Sequence, residues 1–108
     1  MIDKATGISF CGGDEEFYYD IVSEYLADSE DKLPAIERSF KDGNWKEYEI
    51  NIHALKSTSK MIGALELSEA AARLETGVKE GDIGIVENGQ EKLMEMYREV
   101  LKYLREGF

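Results

Sequence analysis

The sequence predicts an all-α protein: an antiparallel up-down four-helix bundle preceded by a short N-terminal arm. Three observations point there. A single proline and little β-branched alternation in 108 residues argue against sheet. Apolar residues recur at helical spacing in four successive stretches. The breaks between these stretches are short and carry glycine, so neighbouring helices should be antiparallel.

Residues 1–13 read as an irregular arm that Gly12 and Gly13 end, and residues 14–108 as the bundle. Asp14 can cap the first helix, with Glu15 and Glu16 favourable in its first turn. Tyr18, Ile21, Val22, Tyr25 and Leu26 give its apolar face, which resumes at Leu33, Ile36 and Phe40. Pro34 is expected to kink or restart this helix, with Ser29 or Asp31 as a cap for the restart, and Gly43 to end it. The second helix should span about 44–61, with Gly63 just past its end. The third runs from near Glu66 to Gly81 and turns Leu67, Ala70, Ala71, Leu74 and Val78 inward. Gly77 weakens it by about 1 kcal/mol relative to alanine. Asp82 can cap the fourth, where Val86, Gln90, Leu93, Tyr97, Val100 and Leu104 form a bundle seam. Gly84 and Gly89 make its first turns the least secure.

Composition narrows the function classes. Thirteen basic residues against 23 acidic ones leave a formal charge of −10, which opposes nucleic acid and anionic membrane as partners. No stretch approaches the roughly 20 apolar residues of a membrane span, and the start lacks the pattern of a signal peptide, so a cytoplasmic location is the default. The single cysteine, Cys11, excludes an internal disulfide and reads as a bystander. The acidity is uneven: residues 14–31 hold eight acids and no base, whereas residues 50–65 hold Lys56 and Lys60 and no acid. The only histidine, His53, lies in that small positive island.

On a helical wheel of residues 45–62, Tyr48, Ile52, Leu55, Ser59 and Ile62 share the core face, and His53 falls roughly opposite. Lys56 and Ser57 are its i+3 and i+4 neighbours, with Lys60 one turn further. Ile50, Ala54 and Met61 make an apolar strip beside it. An exposed neutral imidazole can attack phosphorus, and the product adds about −1.5 to −2 charges where the two lysines lie. The same pattern fits an ordinary surface histidine on a solvated lysine face, with Ile50 and Met61 packed under a neighbouring helix. Helix geometry alone does not separate the two.

The segment from His53 through Leu55, Lys56 and Ser57 to Gly63 resembles the signature of histidine phosphotransfer (HPt) domains, H-x-L-K followed by a small residue and a helix-closing glycine. The likeness continues through Leu67, Ala71 and the pair Leu74-Glu75, and upstream through Asp42-Gly43-Asn44-Trp45. It implies that His53 is the phosphorylated residue and that Lys56 interacts with the phosphoryl group, with Lys60 in support. Ser57 stands where glycine is usual. The resemblance further implies receiver domains of response regulators and a hybrid sensor kinase as partners. Mg²⁺ would come with the receiver, this chain would bring no cofactor, and Ile50, Ala54 and Met61 would form the docking patch. A monomer is expected, because the site must stay open.

Other readings compete with this one. A phosphate-independent module that only docks on receivers would keep the fold without the chemistry. A carboxylate metal bundle needs paired Glu-x-x-His sets facing the core, whereas the one histidine here faces out and Glu49 stands four residues before it. An autonomous kinase needs a nucleotide domain and phosphate-binding glycine loops, for which the chain has neither room nor motif.

Overall fold

The computed structural model describes residues 2–107; Met1 and Phe108, the outer limits of the predicted arm and bundle, lie outside the described residues. Among the described residues five helices form and no strand: α1 (Lys4–Phe10), α2 (Glu15–Asp42), α3 (Trp45–Met61), α4 (Leu65–Lys79) and α5 (Ile83–Arg105). Their ends follow local chemistry. Asp14, Asn44 and Asp82 accept the backbone N–H of Phe17, Glu47 and Ile85 at 3.1, 3.2 and 3.4 Å, capping α2, α3 and α5. Gly63 closes α3 at φ 85°, with its N–H on the Lys60 carbonyl and that of Ala64 on the Ser59 carbonyl.

Two expectations need correction. The segment read as an irregular arm contains α1, capped by Asp3, which accepts the Thr6 N–H at 3.0 Å. Seven residues, with Gly7 among them, are too few to hold a helix alone, so the reason is tertiary: the Asp3 N–H donates to the Gly63 carbonyl, and Gly7 lies against the Ile62 backbone so closely that a Cβ would overlap it. Ile8 packs on the core while Phe10 stays 47% exposed. The second correction concerns the restart expected at Pro34: α2 runs on unbroken through it. The ring removes the N–H that would bond the Glu30 carbonyl, but both residues are exposed and water can take that carbonyl. Ser29 therefore caps nothing; its hydroxyl donates to the Leu26 carbonyl at 2.6 Å.

The packing order is α2 against α3 and α5, and α4 between α3 and α5, with α3–α4 the most extensive pair. The five wheel-predicted core residues of α3 are all fully buried, as are Tyr18, Ile36 and Val86 from other helices. Three tyrosine hydroxyls fix the rotation of α3. Tyr48 donates to Gln90 Oε1 of α5 at 2.5 Å, Tyr25 of α2 shares a hydrogen bond with Ser59 at 2.9 Å, and Tyr18 donates to the Ile62 carbonyl at 2.8 Å. Burial pushes the Tyr48 phenol above its ordinary value, so it stays a donor. Gly77 and Gly89, which the sequence marks as weak points, are contact points instead. A Cβ at Gly89 would lie 2.6 Å from Leu74 Cδ2, so its absence lets α5 close on α4. Among the described residues no helix is long and apolar enough to cross a membrane.

Candidate functional site

With α3 pinned by its core face, His53 points outward and its side chain is 57% exposed. The imidazole is nevertheless held. Its Nδ1 lies 2.5 Å from Oε2 of Glu75, which reaches across from α4. Lys56 Nζ donates to the other oxygen, Oε1, at 2.5 Å, and Lys79 Nζ sits 3.4 Å from Oε2. Ser68 of α4 donates to the Lys56 carbonyl at 2.8 Å and ties the two helices beside the cluster.

Glu75 is buried, with only 4% of its side chain exposed. Burial pushes its carboxyl up, but hydrogen bonds from Lys56, His53 and Lys79 outweigh that effect and hold it down at about 2. It is therefore a carboxylate at neutral pH. A carboxylate accepts and does not donate, so a neutral His53 places its ring proton on Nδ1 and leaves the Nε2 lone pair free. Here a two-helix contact selects the tautomer.

The positive island deduced from residues 50–65 is thus not free of carboxylate, because its counter-charge arrives from a different helix. This is the functional residue that sequence reasoning missed as chemistry. The signal was present: Glu75 stands four residues after Ala71 and eight after Leu67, on the stripe α4 turns inward. An acid on an apolar stripe needs a cationic partner, and Lys56 of α3 and Lys79 of α4 supply it.

The remaining site residues fall at different distances from this cluster. Ser57 is exposed beside His53, and with Lys56 and Lys60 it lines a groove of about 550 Å³ against α4. Lys60 does not join Glu75; its Nζ lies 5.7 Å from the centre of the Phe10 ring on α1. Ile50 is 62% exposed, Ala54 is partly buried and Met61 is exposed. Met61 also borders a groove of about 510 Å³ between α2 and α3, with Ile21, Tyr25 and Thr58. Cys11 is buried with a free thiol, away from this cluster's hydrogen bonds.

A family model described as "Hpt domain" matches residues 20–105. The chain belongs to the Hpt domain family. Among curated proteins it is similar to the phosphorelay intermediate protein rdeA of Dictyostelium discoideum, 24% identical over 102 residues. That alignment takes in 94% of this chain and 40% of the relative, so the Hpt chain spans well under half of the relative's length. No solved structure gives a significant match.

Proposed function

We propose that this Hpt domain is a phosphorelay carrier. His53 takes a phosphoryl group from the aspartyl phosphate of one receiver domain and passes it to the aspartate of another. The observation that carries this reading is the hydrogen bond between His53 Nδ1 and the buried Glu75, which in the neutral ring leaves the Nε2 lone pair free on an exposed side chain. The name of the relative, a phosphorelay intermediate, supports the same assignment.

The step follows from that geometry. Nε2 donates its lone pair to phosphorus, and an N–P bond forms as the acyl O–P bond breaks. The receiver aspartate leaves as carboxylate with the bonding pair. Nδ1 keeps its proton, the ring becomes cationic, and the Glu75 carboxylate faces that charge. Reversal by a second receiver follows the same path backwards. Lys56 stands next to the incoming phosphoryl charge and Lys60 one turn further, while Ser57 is small enough to let the partner close in. Ile50, Ala54 and Met61 form the docking patch for the receiver, which brings the Mg²⁺.

In this reading the domain has no kinase activity of its own, binds no cofactor or nucleic acid, and works as a cytoplasmic monomer with receivers and a hybrid sensor kinase. Its scaffold is an up-down antiparallel arrangement of α2–α5. The two- and three-residue breaks at 43–44, 62–64 and 80–82 support that topology.

The test charges receiver domains with acetyl phosphate and mixes each with wild type and with His53→Gln. Acid-labile label on the wild type alone is the expected result. Binding without labelling would replace the reading with a docking module. Equal labelling of the variant would move the chemistry off His53.

A further inference from the structure

Two lysines and an imidazole meet one buried carboxylate, and the proposed chemistry draws one of the lysines away. Lys56 Nζ occupies Glu75 Oε1, yet Lys56 also stands where the phosphoryl oxygens would arrive. If it turns to them, a carboxylate only 4% exposed loses a partner that water cannot replace. Lys79 lies one turn along α4 from Glu75, with its side chain 56% exposed and its Nζ on Oε2, the oxygen shared with His53.

The charges point the same way. Before phosphorylation, Lys56 and Lys79 exceed Glu75 by one positive charge. The phosphoryl group then adds about −2 and the ring, still carrying its Nδ1 proton, adds one positive charge. With Lys79 the cluster becomes neutral; without it, a net negative charge remains around a buried carboxylate.

We infer that Lys79 is a positioning residue of the phosphorylated state, holding Glu75 on the His53 ring while Lys56 turns toward the phosphoryl oxygens. The inference rests on the phosphotransfer reading. It goes beyond an ordinary i,i+4 helix pair, which would contribute equally before and after phosphorylation.

The experiment compares wild type, Lys79→Met and Lys79→Arg as full chains. Each is phosphorylated with the small donor phosphoramidate, and the His53 ring nitrogens are followed by ¹⁵N NMR. Wild type and Lys79→Arg should keep a hydrogen-bonded Nδ1–H in both states. Lys79→Met should keep it before phosphorylation and lose it to exchange afterwards. In transfer from a charged receiver, Lys79→Met should lower kcat about three- to five-fold with KM unchanged, and arginine should restore it. An Nδ1–H that survives phosphorylation in Lys79→Met, with wild-type kcat, overturns the inference. So does a loss already present in the unphosphorylated variant, which would mark a plain structural pair. If phosphoramidate labels His53 but no receiver does, the phosphorelay reading fails while the spectra still judge Lys79. If phosphoramidate leaves the wild-type His53 unlabelled, both fall.

Discussion

Replacing Glu75 with glutamine keeps the shape of the side chain and removes its charge, so it isolates the electrostatic part of the α3–α4 contact. A carboxyl held at about 2 in the folded protein, against its ordinary 4.5, corresponds to about 3 kcal/mol of linked stability. His53, Lys56 and Lys79 are 57%, 32% and 56% exposed, so water screens them and the expected loss falls to about 1–2 kcal/mol. The folded-state value is depressed, so the contribution is complete above about pH 4.5 and disappears as pH falls toward about 2. Urea unfolding followed through Trp45, the single tryptophan, measures it. Trp45 packs edge-on against Phe40 and Tyr48 and should report loss of the fold. At neutral pH the variant should be less stable by that amount, and the two proteins should converge as pH drops through the window. A gap that stays constant down to about pH 3 would mean that packing, not charge, sets the loss. No gap at neutral pH would sink the reasoning altogether.

Two further substitutions probe the docking patch and the N-terminal helix. Ile50→Asp acts at a 62% exposed position, so thermal melting should move by no more than about 0.5 kcal/mol equivalent while the KM for a charged receiver rises roughly five- to ten-fold; normal transfer would remove Ile50 from the docking patch. Gly63→Ala forces a Cβ into the Asp3 carbonyl at a left-handed backbone position, at a cost of at least about 1–2 kcal/mol. Limited proteolysis should then cut near α1 first, and an α1 as resistant as in wild type would show that the junction relaxes without undocking.

What the sequence made legible was periodic or local. The wheel of α3 separated Tyr48, Ile52, Leu55, Ser59 and Ile62 from His53 because amphipathic spacing is a direct record of burial. Asp14 and Asp82 could be read as caps because capping is decided within three residues. What escaped was non-local. The seven residues of α1 are too few to stand as a helix alone and depend on the Gly63 carbonyl and the Ile62 backbone, more than fifty residues away. Pro34 reads as a breaker when solvent access to the Glu30 carbonyl is unknown. Glu75 lies 22 residues from His53, and only the docking of two helices shows that it is the partner of that ring.

The origin of Glu75 on α4 has a consequence for any fragment of the domain. A peptide spanning 45–61 would carry His53, Lys56 and Lys60 but nothing to choose the ring tautomer, and a helix of that length is marginal in water. The His53–Glu75 hydrogen bond therefore exists only in an assembled α3–α4 hairpin. A nascent, nicked or heat-damaged chain would display the same histidine without its carboxylate partner. On the phosphotransfer reading this amounts to an internal licence: the nucleophile would be prepared only in molecules that have finished folding.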